Sequence, residues 1–374
     1  MGSRQRLFWH WDPYDLEGSE KKFLRACRDN CAWHIRRCQP YRDIMEHFGF
    51  APDQLQSLDD LKKIPMLPTL FFKRHAVFSM PQWRMPMKVT SSGTSGKFSQ
   101  IGFDLGCILA EVPMVLKIGW KHKLISPKPA NCVVLGYKPN KANRTGVTKT
   151  MVGLTFYAPP LRRTYALHYQ DGRYVPDLDR VIRDLEKYAK SKFPTRIIGF
   201  PSYLWFGLKR MEELGVSVKL PPGSMVMLGG GWKQHYAQQV EKQDLYALVE
   251  KILGIPEENI HESFGAVEHP IFYNTCPNHH FHVPVYARVL IRDPNTLEPL
   301  PYGQVGLVNL ISPLMKATPT LSVVTDDLGY LTPGCQCGCG IDAPYMTILG
   351  RVGLNDITTC AAGAAEILGK GEGF

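Results

Sequence analysis

The sequence predicts an α/β fold: a mainly parallel, doubly wound sheet flanked by helices, with a smaller β-rich subdomain after it. Three observations carry this reading. From residue 131 onward, short apolar runs of strand type (131–137, 196–200, 224–228) alternate with stretches whose apolar residues recur at helical spacing. The alternation is punctuated where helices begin and end. Pro201-Ser202 opens one helix, Gly215 closes it, and Gly254-Ile255-Pro256 closes the next. From residue 283 the texture changes to short β-type runs (283–292, 305–311, 321–325) parted by Pro/Gly turns.

Taken in order, residues 19–49 read as helical, with Phe23, Cys27, Cys31, Ile35 and Cys38 near helical spacing. Trp9, Trp11 and Trp33 supply apolar surface for that helix to pack against. Pro65, Pro68 and Pro81 break the next stretch into short connectors. Residues 87–89 and 99–103 read as two strands around a loop. Residues 105–120 read as a helix that Pro113 is expected to kink or split. Residues 138–150 read as a polar, basic loop. Leu178, Val181, Ile182, Leu185 and Tyr188 form an apolar helical stripe, as do Leu245, Leu248, Val249 and Ile252. The expected domains are 1–282, the α/β core; 283–351, the β-rich subdomain; and 352–374, a short tail.

The chain has 374 residues, 44% of them hydrophobic and 21% charged, which suits a globular enzyme and excludes a disordered or fibrous chain. Its net charge of +10 fits either nucleic acid or small anionic substrates. No RNP, zinc-finger or helix-turn-helix signature supports nucleic acid, and the basic residues from Lys117 to Lys149 read as a solvated face. The N-terminus lacks an apolar signal core, and no run of about 20 apolar residues offers a membrane span. A cytoplasmic setting is therefore expected, with the ten cysteines reduced.

The stretch Ser91-Ser92-Gly93-Thr94-Ser95-Gly96-Lys97 packs hydroxyls and glycines ahead of a lysine. Small side chains let backbone N–H groups approach an anion, hydroxyls add donors, and lysine adds a point charge. It reads as a hairpin tip that grips a polyphosphate. It is not a Walker A loop, because Ser91 stands where that motif has its first glycine. Ligands of doubly wound sheets gather at the carboxyl ends of strands. Gly229-Gly230-Gly231 and the segment 263–268 fall where such ends are expected. Cys276, with His279, His280 and His282, precedes Cys335, Cys337 and Cys339. Cysteines spaced Cys-x-Cys with a remote Cys and His suit tetrahedral zinc.

Several of these segments, in order, resemble the adenylate-forming superfamily. Residues 91–97 resemble its phosphate loop, and Gly229-Gly230-Gly231-Trp232 its adenine-contacting segment. Phe264-Gly265-Ala266-Val267-Glu268 resembles its aromatic-Gly-x-Thr-Glu segment, with Val267 for Thr. Thr325-Asp326-Asp327 resembles Thr-Gly-Asp, with Asp326 for Gly, and Gly350-Arg351 resembles the Gly-Arg hinge. Within the superfamily, Gly229–Lys233 and Gly199-Phe200-Pro201-Ser202-Tyr203 are similar to the acyl-protein synthetases of bacterial bioluminescence, the LuxE family, with phenylacetate–CoA ligases as cousins.

The resemblance implies ATP and Mg²⁺ as cofactors. Lys97 and the loop would hold phosphates, Glu268 would help hold Mg²⁺, Asp327 would take the ribose hydroxyls, and Arg351 would approach ribose or phosphate. Phe264 and Gly265 would join the nucleotide site. The usual C-terminal lid domain is expected to be absent, since only 23 residues follow Arg351. Cys360, the only cysteine of the tail, would carry the acyl group as a thioester. Some relatives hold a structural zinc, whose pattern Cys276, His282, Cys337 and Cys339 match best; Cys335, His279 and His280 compete. Ser202, Tyr203, Trp205 and Phe206 would line or approach the acyl pocket.

The expected function is ATP-dependent activation of a long-chain fatty acid as acyl-AMP. The acyl group would pass to Cys360 and then to a partner protein such as a fatty acid reductase. The alternatives are a ligase for another acid, for example an aromatic acid in antibiotic biosynthesis, joined to CoA, an amine or a carrier protein; or a non-catalytic nucleotide- or nucleic-acid-binding protein.

Overall fold

The computed structural model describes residues 1–90, 99–140, 143, 145–232, 235 and 238–351. It forms two compact units, one of residues 1–118, 265–273 and 280 onward, the other of 119–264 and 274–279. The sequence-read α/β architecture is what the structure has.

The 119–264 unit is built on a sheet whose strands run in the order Ile260–Ala266, Met225–Gly229, Thr195–Gly199, Ala130–Tyr137, Pro160–Gln170, Arg173–Pro176, with His269–Asn274 beside Ile260–Ala266. From Ile260–Ala266 to Pro160–Gln170 the pairings are parallel, and Arg173–Pro176 closes an antiparallel edge. A parallel sheet needs cover on both faces, and its central strands are accordingly buried along their length. Cover comes from Leu178–Ala189, Pro201–Glu213 and Lys242–Leu253, whose Val181, Ile182, Leu185, Leu204, Leu208, Leu245, Val249 and Ile252 share one core with Val133, Ile197 and Val226. Asp177 caps the first of these helices by accepting from the Arg180 N–H, and Gly254 (φ 64°) ends the last in the left-handed conformation. Gly199 takes φ +145°, and a Cβ there would stand 2.4 Å from the Leu135 carbonyl oxygen, so only glycine lets these strands meet at their ends.

The other unit holds a sheet in the order Phe281–His282, Tyr345–Arg351, Ser322–Thr332, Gly306–Ile311, Arg288–Arg292, Pro299–Leu300. Those pairings are antiparallel. Leu67–Pro68 adds a parallel pairing to Val323 and Val324 of Ser322–Thr332. Met87–Thr90 and Gln100–Phe103 form a separate antiparallel hairpin, with Thr90 opposite Gln100.

Several elements differ from expectation. The 19–49 helix is two helices, Leu16–Arg37 and Gln39–His47, because Cys38 is extended (φ −129°, ψ 102°) and Pro40 starts a new first turn. Leu105–Lys121 runs unbroken through Pro113. The basic loop holds the helix Gly146–Leu154. The hairpin Pro160–Gln170/Arg173–Pro176 escaped the reading because its exposure does not alternate with period two. The strand at 321–325 extends through Ser322–Thr332, and that at 283–292 shortens to Arg288–Arg292. Cys27, Cys31 and Cys38 are buried free thiols, as read. Among the described residues no helix is long and apolar enough to cross a membrane.

Candidate functional site

Ser322–Thr332 carries Thr325, Asp326 and Asp327 in mid-strand, in register with Tyr345–Arg351, so that Asp327 faces Arg351 across the ladder. Arg351 Nε donates to Asp327 Oδ1 at 3.1 Å. The Asp327 N–H donates to the Thr325 hydroxyl at 3.2 Å. Asp327 is buried, while the Arg351 side chain stays 40% exposed.

Glu268 sits in the turn between Ile260–Ala266 and His269–Asn274 and is 4% exposed. Burial pushes its carboxyl above the usual range; the Ser99 hydroxyl, its own backbone N–H and the charges of Lys73 and Arg351 pull it back down. Ser99 is wholly buried and directly precedes the strand Gln100–Phe103. The residues between the hairpin strands, Ser91, Ser92, Gly93, Thr94, Ser95, Gly96 and Lys97, lie outside the described residues.

Lys73 is a residue the sequence reading missed. Leu67–Pro68 pairs with Val323 and Val324, and the short helix Thr69–Arg74 follows directly. This sets Thr69 and Lys73 beside Asp326. Thr69 Oγ1 donates to Asp326 Oδ2 at 3.2 Å, and Lys73 Nζ stands 3.7 Å from the same oxygen. The available signal was Asp326 itself, a carboxylate in the place of a glycine, which calls for a counter-charge.

In the other unit, Gly229 ends the strand Met225–Gly229 opposite Ser263, and Gly230 and Gly231 follow with φ of 80° and 65°. The Ser263 hydroxyl donates to the Leu228 carbonyl at 3.0 Å, locking the two strand ends together. Phe264 and Gly265 lie just beyond on Ile260–Ala266, so the glycine run and this segment occupy neighbouring carboxyl ends. On the helix Pro201–Glu213, Tyr203 and Phe206 set their rings edge-on to His235. Ser202 is buried, and Tyr203 and Trp205 pack against the sheet core.

Of the four expected zinc ligands, His282, Cys337 and Cys339 lie in one unit and present their ligand atoms within 4.8 Å of one another. His282 Nδ1 donates to the Ala343 carbonyl at 2.6 Å, and burial lowers its proton affinity, so the ring is neutral and Nε2 keeps its lone pair. That Nε2 lies 3.2 Å from Cys339 Sγ. Metal-binding histidines are commonly oriented in this way, by a carbonyl that accepts the proton of the far ring nitrogen. Two of the competitors are placed otherwise. Cys335 is exposed, and His279 Nε2 lies 3.2 Å from a Glu257 carboxylate oxygen. His280 stacks on Tyr345 and brings Nδ1 within 3.1 Å of Cys337 Sγ. Cys360 lies outside the described residues.

The fold defines the class. Solved 2-hydroxyisobutyryl-CoA ligase superposes in an open conformation, holding its acyl-AMP and CoA, with a TM-score of 0.66 at 17% identity, covering 89% of this chain and 75% of that one. In its postadenylation state, with R3-HIB-AMP, it reaches a TM-score of 0.68 at 17% identity over 96% and 74%. This is the fold of the adenylate-forming acid ligases. The family model for acyl-protein synthetases, LuxE, matches residues 4–368, and the chain belongs to that family. The long-chain-fatty-acid–luciferin-component ligase of Aliivibrio fischeri is 27% identical over 343 residues, covering 87% of this chain and 84% of its own. The phenylacetate-coenzyme A ligase of Thermus thermophilus is 24% identical over 340 residues, 87% of this chain and 69% of its own. The chain is therefore an acid ligase of the AMP-forming type, as its motifs indicated.

Proposed function

We propose that this ligase activates a long-chain fatty acid with ATP, loads the acyl group on Cys360 and delivers it to a partner protein such as a fatty acid reductase. The observation that carries the reading is the grouping of Glu268, Asp327 and Arg351 in one unit of a chain of this family, with Ser99, which comes just after residues 91–97 in the sequence, beside Glu268. A fatty carboxylate oxygen attacks the α-phosphorus, the bond to the bridging oxygen breaks, and pyrophosphate leaves. Both reactants are anions, so the protein's share is positioning and charge neutralisation.

The roles follow the resemblance. Residues 91–97, with Lys97 as the charge, take the β- and γ-phosphates. Gly229, Gly230, Gly231, Phe264 and Gly265 take the adenine end. The Asp327 carboxylate accepts from the ribose hydroxyls, and the exposed donors of Arg351 reach ribose or phosphate. Glu268 fits as an Mg²⁺ ligand, because a carboxylate raised by burial gains most from a nearby hard cation. When bound, Mg²⁺ would neutralise phosphate charge. The Cys360 thiolate then attacks the acyl carbonyl, the carbonyl carbon–oxygen bond breaks, and AMP leaves with that oxygen. Zinc fits Cys276, His282, Cys337 and Cys339, four soft donors that leave no open position, and its role would be structural.

Incubation with ATP, Mg²⁺ and radiolabelled long-chain fatty acid should leave a hydroxylamine-sensitive label on the wild-type chain. Cys360→Ser should lose the label and keep ATP–pyrophosphate exchange. A label that survives in Cys360→Ser overturns that residue as carrier. The phenylacetate-coenzyme A ligase likeness favours a second reading, an aromatic acid passed to CoA, and exchange driven by aromatic but not fatty acids would establish it.

A further inference from the structure

The pair Lys73–Asp326 has no counterpart in the pattern Thr-Gly-Asp that the segment resembles, since glycine offers no side chain to pair with. We propose that Asp326 and Thr69 hold Lys73 as a positioned cation near Glu268, and that Lys73 binds the phosphates of the nucleotide. The inference rests on the ligase reading and adds three residues to its site.

Four observations carry it. Lys73 is held from below: the parallel pairing of Leu67–Pro68 with Val323 and Val324 starts the helix Thr69–Arg74 at a fixed place on the strand that bears Asp326 and Asp327. Its side chain is only 16% exposed, so its charge is largely withdrawn from water and acts strongly on its neighbours. Its separation of 3.7 Å from Asp326 Oδ2 exceeds a charge-assisted hydrogen bond, while Thr69 already donates to that oxygen at 3.2 Å. Asp326 therefore anchors the ammonium without absorbing its three donors. Lastly, Lys73 acts electrostatically on Glu268. Glu268, Asp326 and Asp327 place three carboxylates around Lys73 and Arg351. A polyphosphate added to that set needs cations beside it, and Lys73 is one.

On this account Lys73 is a binding residue, and Asp326 and Thr69 are positioning residues that act through it. The test measures ATP and adenosine binding by calorimetry on the full chain, alongside steady-state ATP–pyrophosphate exchange. Lys73→Met should weaken ATP roughly tenfold to hundredfold, the loss of one charge-assisted contact, and leave adenosine within about twofold. Lys73→Arg should restore much of the ATP affinity. Asp326→Asn should raise KM for ATP several-fold with a smaller change in kcat, leaving adenosine binding alone.

A structural ion pair would instead lower thermal stability and weaken ATP and adenosine alike. An unchanged ATP-to-adenosine ratio in Lys73→Met overturns the proposal. Should that variant fail to fold, the same ratio in Asp326→Asn decides in the same way. A wild-type chain that binds no ATP defeats the ligase reading itself, a result distinct from a wild type that binds ATP and a variant that binds it equally well.

Discussion

The carboxylate group around Asp327 and the Cys/His group around His282 are both assembled from residues distant in the chain, and they are built on opposite principles. In the first, Glu268 and Asp327 are buried but face Arg351, whose side chain is 40% exposed, and charges of both signs stand close together. In the second, the sulfurs of Cys337 and Cys339 and one neutral ring converge within 4.8 Å, with the ring's outer nitrogen bound to the Ala343 carbonyl. The first set places charge of both signs at a partly exposed side chain. The second turns its donors on one another. Burying charge costs the fold stability, whereas a closed set of metal donors, when filled, adds to it.

Three substitutions test that contrast, from the largest expected effect to the smallest. Glu268→Gln should lower ATP–pyrophosphate exchange by about a hundredfold or more, the loss of one electrostatic group at a phosphate site. The same variant should be more stable than wild type at neutral pH. Burial raises the Glu268 carboxyl above 4.5, so its protonated form favours folding, and that stability is lost as pH rises from 4.5 through the raised value. The gain in Tm, roughly 2–4 °C per kcal/mol, should vanish below pH 4.5. A Glu268→Gln chain less stable at neutral pH breaks the comparison from the charged side.

Cys337→Ser, or a strong chelator, should do the reverse. Stability should fall by on the order of a few kcal/mol, while KM for ATP in the molecules still folded stays near wild type. Metal analysis should find one zinc per wild-type chain and none in the variant. Zinc loss that cuts exchange without lowering Tm would make the cluster catalytic rather than structural. Arg351→Ala should move stability least, by under about 1 kcal/mol, because its ion pair with Asp327 is partly exposed, and its effect should appear in ATP binding instead.

The course of the sheets was readable because burial imposes period. The stripe from Val181 to Tyr188 and the apolar run Ile197–Ile198 read correctly since each needs only its neighbours in sequence. Residues Pro160–Gln170 did not, because their pattern is set by an edge partner, Arg173–Pro176. The same division holds in the site. Glu268, Asp327 and Arg351 stood out as residue types at motif spacing, whereas Lys73 lies in Phe71-Phe72-Lys73-Arg74, a stretch with no motif at all.

The sequence by itself determined the α/β class, the order of the motifs and the residue types of the proposed nucleotide and metal sites, because local period, glycine placement and ligand chemistry are written one segment at a time. Only the tertiary structure decided that Asp326 is answered by Lys73 and by Thr69, 257 positions away from it, and that His282 turns Nε2 toward Cys339. Those pairings depend on strand register and on which carbonyl takes a ring proton. Both are set by contacts between segments that no single stretch contains.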